Sequence, residues 1–283
     1  MNNKVRITLS LCAALAGLIV FFAPRNMALY DLALFPCPDP RTPDISKSLL
    51  ELKSHNIYAQ ELVFPSKNGK LLHGIFYRVP GAKRVFLFSH GKGNNMYTQI
   101  TKCRCLCACD ASVFMYDYQG FGKSQGRASV QNACEDAIAA YDYLVDVQKC
   151  NPDNIIAFGQ SFGSGVTGQL ALHRKLAGAV IQSGFSSLIS AARTTLPWLK
   201  LYPDWAFPEQ MMDNIAAFNE KQIPLFITHG RTDKIISCNE AIKLFNSASQ
   251  PKAILLFPDG HSTFGKGNTF AVALKKFISK NNI

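Results

Sequence analysis

Asn154-Ile155-Ile156-Ala157-Phe158-Gly159-Gln160-Ser161-Phe162-Gly163 joins an apolar, strand-length run to a Gly-x-Ser-x-Gly turn, and Phe162 to Lys175 beyond it has helix length. A strand that turns into a helix within so few residues leaves no room for side chains two places before and two places after the serine, which accounts for Gly159 and Gly163. Ser161 is then held out at the carboxyl edge of a sheet. A serine hydroxyl is a poor nucleophile until a base takes its proton, so the turn asks for a His and, behind it, a carboxylate that fixes the imidazole tautomer. The chain supplies both in order. Asp233 follows the apolar run Pro224 to Thr228, and His261 follows Ala253 to Phe257. Ser161, Asp233 and His261 are the candidate catalytic residues. A carbonyl attacked at Ser161 also needs amide donors for its developing oxyanion. The N–H of Phe162, at a helix start, is one candidate. The N–H of Lys92, in the Gly-rich turn Ser89-His90-Gly91-Lys92-Gly93-Asn94, is the other.

Outward from this turn, short runs rich in Val, Ile, Leu, Phe and Tyr alternate with helix-length stretches. Tyr58 to Phe64 and Leu71 to Val79 flank a Ser66-Lys67-Asn68-Gly69 turn as an antiparallel hairpin. Arg84 to Ser89, Ser112 to Tyr118, Asn154 to Phe158, Ala179 to Gln182, Pro224 to Thr228 and Ala253 to Phe257 complete a set of eight strands. Helices are predicted at Met96 to Cys109, Val130 to Lys149, Phe162 to Lys175, Asn239 to Ser247 and Asn268 to Lys280. The alternation predicts an α/β fold, an eight-stranded, mostly parallel sheet with helices on both faces. Gly184 to Gln222 interrupts it with Trp198, Trp205, Pro197, Pro203 and Pro208, and reads as a small lid over the sheet.

These residues resemble the alpha/beta-hydrolase superfamily, and within it the small-cap, membrane-associated, Bem46-like hydrolases. Besides the serine turn, the resemblance rests on Ser89-His90-Gly91, on Tyr116-Asp117-Tyr118-Gln119-Gly120-Phe121-Gly122-Lys123-Ser124-Gln125-Gly126, on His229-Gly230-Arg231-Thr232-Asp233 and on Gly260-His261. It covers residues 57–283, the predicted hydrolase domain. It implies a Ser-Asp-His hydrolase that uses neither a metal nor an organic cofactor and acts through an acyl-enzyme on esters, thioesters or acyl lipids. A serine peptidase of the same fold is the rival enzyme, although nothing here resembles the large accessory domain many such peptidases carry. A membrane-tethered binding protein that keeps the fold without catalysis is the alternative from another class.

Ahead of that domain, Lys4 and Arg6 precede Ile7 to Ala23, an uncharged apolar stretch that would span about 25 Å as a helix. Residues 1–23 read as a membrane anchor or a signal segment. A cut after Ala23 would put Phe21 where signal cleavage wants a small residue, which favours the uncleaved anchor. Two positive residues before the stretch and Arg25 after it place the catalytic part on the non-cytoplasmic side, with secretion after cleavage as the alternative. Residues 24–56, with Pro24, Pro36, Pro38, Pro40 and Pro43, read as a stiff stalk. The chain's net charge of +11 fits an anionic surface, but no basic, aromatic-interleaved ribbon accompanies it, so nucleic acid is not an expected partner.

Several other patterns have plainer readings. Gly163-Ser164-Gly165-Val166-Thr167-Gly168 spells a dinucleotide fingerprint, yet no Asp or Glu occurs from Asn154 to Pro203 to take a ribose. The glycines read instead as small residues that let a helix approach the sheet. Gly122-Lys123-Ser124 ends like a phosphate loop, but Asp117 stands where that motif needs its first glycine. His90 and His229 each precede a Gly at a strand end and read as loop braces. Asp259 and Asp117 are the runners-up for the acid, Asp259 being too near His261 in sequence to reach it without the loop doubling back. Cys103, Cys105, Cys107 and Cys109 alternate along a predicted helix, which puts Cys103 with Cys107 on one side and Cys105 with Cys109 on another; the two pairs diverge and read as core residues, with no metal expected.

Overall fold

The computed structural model of the chain describes residues 41–207 and 212–283. The anchor or signal segment at 1–23 and the Pro-rich run to residue 40 lie outside the described residues. Among the described residues no helix is long and apolar enough to cross a membrane.

Eight strands form one sheet: β1 (Tyr58–Pro65), β2 (Leu71–Arg78), β3 (Arg84–Ser89), β4 (Ala111–Tyr116), β5 (Ile155–Gln160), β6 (Gly178–Gln182), β7 (Leu225–Gly230) and β8 (Lys252–Phe257). Their spatial order is β1-β2-β4-β3-β5-β6-β7-β8. Only β2 runs against its neighbours, and the strands from β4 to β8 are parallel. Parallel strands need crossovers, and the crossover helices cover both faces of the sheet, so β4 to β7 are buried along their whole length rather than on alternate residues. In β5, Ile155 and Ala157 enter one core while Ile156 and Phe158 enter the other. β3 does the same with Val85 and Leu87 on one side and Phe86 and Phe88 on the other.

The helices are α1 (Ser46–Ser54), α2 (Ile100–Cys107), α3 (Val130–Asp142), α4 (Gly163–His173), α5 (Leu188–Thr195), α6 (Asn214–Lys221), α7 (Cys238–Ser247) and α8 (Thr269–Asn281). Residues of α3 to α7 pack on one face, and those of α1, α2 and α8 on the other. Two of the predicted helices are composite. A 3-10 turn, Met96–Gln99, precedes α2, and a π turn, Tyr143–Val147, follows α3.

The sequence predicts a stalk through residue 56, but its last part is the helix α1. Leu52 of α1 is 3% exposed, and Ile45 and Leu49 pack against the same core. No proline stands between Pro43 and Pro65, so nothing denies this stretch its amide donors. The folded domain therefore begins before residue 57.

The predicted lid, residues 184–222, contains α5, two 3-10 turns (Pro197–Leu201 and Asp204–Ala206) and α6. Glu240 of α7 accepts hydrogen bonds from the Ser186 amide at 2.9 Å, the Ser186 hydroxyl at 2.5 Å and the Ser190 hydroxyl at 2.6 Å, which fastens the base of this cap to the domain. The cap also corrects the reading of two of the fingerprint glycines. A Cβ at Gly165 would lie 2.5 Å from Met212 Sδ, and one at Gly168 would lie 2.2 Å from Asn214 Oδ1. These two glycines admit the cap to α4, whereas Gly163, whose Cβ would lie 2.0 Å from Ser89 O at the end of β3, is the one that lets α4 approach the sheet. Cys103 and Cys107 are buried with their sulfurs 3.7 Å apart, and burial pushes the Cys103 thiol pKa well up. Cys109 lies past the end of α2 and donates to the carbonyls of Cys105 and Ala271.

Candidate active site

β5 runs between β3 and β6, with Gly159 opposite Ser89 and Gln160 opposite Gln182. The strand continues through Gln160, two residues beyond the predicted end, and the Ser161 amide still donates to Gln182 O at 2.9 Å. Ser161 itself has φ +54°, a left-handed backbone that costs a serine about 1–3 kcal/mol and that the surrounding packing must enforce. Both flanking glycines are sterically required. A Cβ at Gly159 would lie 2.4 Å from Gly163 O, and one at Gly163 would lie 2.0 Å from Ser89 O. Helix α4 starts directly behind the serine, with Phe162 as its cap residue.

His261 lies in the loop after β8, and Asp233 in the turn after β7, so both come to the sheet edge that carries Ser161. His261 Nε2 is 3.0 Å from Ser161 Oγ, and His261 Nδ1 is 2.6 Å from Asp233 Oδ2. The structure thus brings all three sequence-predicted residues into one hydrogen-bonded line. Asp259 is not in that line. Its carbonyl instead accepts from the Thr232 amide at 3.1 Å, and the Arg231 amide donates to Phe257 O at 2.7 Å, so the acid turn and the histidine loop are stitched together by backbone. Gly230 makes that possible, since a Cβ there would lie 2.1 Å from Gly260 O. On its far side the histidine loop is tied by the Ser262 amide to Ser183 Oγ at 2.9 Å and by Gln182 Nε2 to Thr263 O at 2.9 Å.

The Asp233 side chain is fully shielded from solvent. Burial alone would raise its pKa, but hydrogen bonds from His229, His261 and the amides of Ile236 and Ile235 outweigh it and hold the carboxyl well below the usual carboxylate range. Oδ1 takes the Ile235 and Ile236 amides at 2.8 and 3.0 Å. Oδ2 takes His261 and, at 3.0 Å, His229 Nε2. An ionised Asp233 keeps a proton on His261 Nδ1 and leaves Nε2 as the acceptor facing Ser161.

The candidate oxyanion donors are the amides of Phe162 and Lys92. Phe162 N belongs to the residue after Ser161. The loop that carries Lys92 passes directly over the serine: a Cβ at Gly91 would lie 3.3 Å from Ser161 Cβ and 3.8 Å from Ser161 Oγ. This loop is braced by Tyr118 Oη donating to His90 O at 2.9 Å, by His90 Nδ1 against Gly91 O at 2.8 Å and by the Met96 amide donating to Asp117 Oδ1 at 2.7 Å. Asp117 is thereby a structural carboxylate. Sequence reasoning missed two residues of this site. Gly91 supplies the clearance over the serine, and His229 touches the acid as well as its own turn. In both cases the His-Gly dipeptide at a strand end was the available signal.

The Prolyl oligopeptidase family matches residues 119–276 of this sequence. The chain is 29% identical over 211 residues to the uncharacterized protein YfhR of Escherichia coli O157:H7, covering 71% of this chain and 72% of that protein. Among solved structures it is similar to the esterase Pf2001 of Pyrococcus furiosus, with a TM-score of 0.68 at 15% identity over 86% of this chain and 97% of that one. An alpha-beta hydrolase from Vibrio vulnificus gives a TM-score of 0.66 at 17% identity, covering 92% and 93% of the two chains.

Proposed function

The chain belongs to the Prolyl oligopeptidase family and has the alpha/beta-hydrolase fold, and from that premise we propose that it is a serine hydrolase that cleaves acyl esters or thioesters through an acyl-enzyme. The line from Ser161 Oγ to His261 Nε2 and from His261 Nδ1 to Asp233, at 3.0 and 2.6 Å, carries this reading. Ser161 Oγ attacks the acyl carbonyl while His261 Nε2 takes its proton. Asp233 holds the imidazole and supports its positive charge, and the amides of Phe162 and Lys92 hold the oxyanion. His261 then gives its proton to the leaving group, and a water activated by the same His261 releases the acid.

The test is a fluorophosphonate probe on the intact protein, read by mass, beside Ser161→Ala. One adduct at Ser161, absent from the variant, is the expected result. A folded wild-type chain that takes up no probe would sink the proposal and favour the non-catalytic binding protein.

Ester cleavage is favoured by the Bem46-like motif set, and the esterase Pf2001 shares the fold. Lipid-like or medium-chain acyl groups are the proposed substrates, motivated by the cap's Trp198, Leu201 and Trp205. Leu201 and Trp205 are 85% and 74% exposed. Equal rates on p-nitrophenyl acetate and decanoate, unchanged by lipid vesicles, would count against them. A peptidase is the second reading, favoured by the name of the matching family. Turnover of short peptide amides at rates matching the esters would select it. The apolar stretch Ile7 to Ala23 is proposed to tether the enzyme with its hydrolase domain on the non-cytoplasmic side. Release by alkaline carbonate, or protection of the domain from external protease in intact cells, would argue otherwise.

A further inference from the structure

His229 stands four residues before Asp233, and both side chains are wholly shielded from solvent. Its Nε2 lies 2.9 Å from Ile236 O and 3.0 Å from Asp233 Oδ2. Both of these atoms are acceptors, so Nε2 bears the ring proton and shares it between them. Nδ1 is buried and has no hydrogen-bond partner among the described residues. A proton at Nδ1 would be an unsatisfied buried donor, so the Nε2–H tautomer is the one this environment accepts. The bonds close a ring. Asp233 Oδ1 accepts the Ile236 amide, Ile236 O accepts His229 Nε2–H, and the same N–H reaches Asp233 Oδ2. An aliphatic side chain could fill the space of the imidazole, but it could not complete that ring.

We propose that His229 is a positioning residue for Asp233: its Nε2–H pins Oδ2 from one side, so that this oxygen meets His261 Nδ1 at hydrogen-bond distance from the other. The inference rests on the serine hydrolase reading, since it assigns His229 a task in activating Ser161. Oδ1 is already fixed by two backbone amides, and His229 is what fixes Oδ2 on the side away from the relay. Without it the carboxylate can tilt about its last bond, and His261 loses its aim at the serine.

The test measures the second-order rate of fluorophosphonate labelling at Ser161 in the full chain for wild type, His229→Leu and His229→Gln, with thermal unfolding of each. His229→Leu is expected to label about 10–100-fold more slowly, the worth of one hydrogen bond to a charged group. His229→Gln, which can return an N–H to the Nε2 position, is expected to recover most of that rate. A folded His229→Leu that labels at the wild-type rate, or a folded His229→Gln as slow as His229→Leu, overturns the proposal and leaves the hydrolase reading standing. A folded wild type that takes no label overturns both. Ring-nitrogen NMR of the wild-type protein keeps the question open to test if neither variant folds. His229 is expected to carry its proton on Nε2 alone at neutral pH, and protonated Nδ1 would overturn the assignment.

Discussion

His90-Gly91 follows β3 and His229-Gly230 ends β7, so one dipeptide stands at the carboxyl ends of two parallel strands, and each histidine lies beside a buried aspartate. His90 Nε2 is 3.5 Å from Asp117 Oδ1, and His229 Nε2 is 3.0 Å from Asp233 Oδ2. What separates the two pairs is the third partner. Asp117 turns its Oδ1 to the Met96 amide and so fixes a backbone loop over Ser161. Asp233 turns its Oδ2 to His261 and so fixes the proposed base itself. In the proposed mechanism the first pair shapes where amide donors stand, and the second sets where a proton goes. A His-Gly dipeptide thus marks a strand end; its role is set by a residue that the fold brings from elsewhere.

The sharpest way to break this comparison is to neutralise both acids. Asp233→Asn puts an amide where His261 needs a charged acceptor, and labelling at Ser161 should fall about 10³–10⁴-fold, the scale of losing the acid of such a triad. Asp117→Asn keeps an oxygen for the Met96 amide and should cost about tenfold or less in rate, with about 1–2 kcal/mol of stability. Equal losses in rate would erase the distinction. The pH dependence of stability follows with its own sign. The folded pKa of Asp233 lies below the unfolded value of about 3.9, so its contribution is complete above about pH 4 and is lost as the pH falls through the folded value. The gap in urea stability between wild type and Asp233→Asn should therefore be constant near neutrality and narrow below pH 4. A gap that ignores pH would mean the carboxylate is not held as described.

The serine turn was legible because steric need and chemistry coincide there: Gly159 and Gly163 are required by atoms within a few residues or on the next strand. Asp233 and His261 were legible because parallel strands deliver their carboxyl ends to one edge. The candidate oxyanion loop is legible as a Gly-rich turn, but Gly91's clearance over Ser161 depends on the stagger of β3 against β5, which periodicity does not encode. In sequence His229 reads as a loop brace, because Ile236 and Asp233 converge on it only once the turn closes. The helix α1 was hidden by its neighbours. The prolines up to Pro43 suggest a stalk, which the proline-free stretch after them does not continue. The helices of the cap were hidden by Trp198, Trp205 and the prolines between α5 and α6, which break the 3.6-residue period.

The glycines of the two dipeptides sharpen the comparison by different means. A Cβ on Gly230 meets backbone, Gly260 O at 2.1 Å and Asp259 O at 2.3 Å, and neither can move without opening the histidine loop. Gly230→Ala should lose about 2–4 kcal/mol in chemical unfolding and label at least tenfold more slowly. A Cβ on Gly91 meets Ser161 Cβ at 3.3 Å, which a shift of a few tenths of an ångström relieves. Gly91→Ala should change stability by less than about 1 kcal/mol and still slow labelling about tenfold, because in the proposed reaction the methyl would crowd the approach to Ser161. Reversal of this pattern, with Gly91→Ala unfolding the chain and Gly230→Ala harmless, would mean the loops are not seated as described.

Tyr118→Phe is the mildest probe and isolates the brace of the His90 loop. Tyr118 is buried, and its hydroxyl donates to His90 O, one residue before the glycine that faces Ser161. The ring itself packs edge-on against Phe121, Tyr116 and Phe162, contacts that a phenylalanine keeps. The substitution therefore removes the bond to His90 O together with the hydroxyl's contacts to Ser89 and Tyr116, about 1–2 kcal/mol of stability. If the loop supplies an oxyanion amide, loosening it should slow labelling about two- to fivefold, since an amide donor counts only while it is already aimed. Hydrogen exchange should quicken at residues 90–94 and stay unchanged at 229–236. Exchange that quickens in both turns would mean the two strand ends are one mechanical unit, and the division between the loop that places amides and the turn that places the acid would fail.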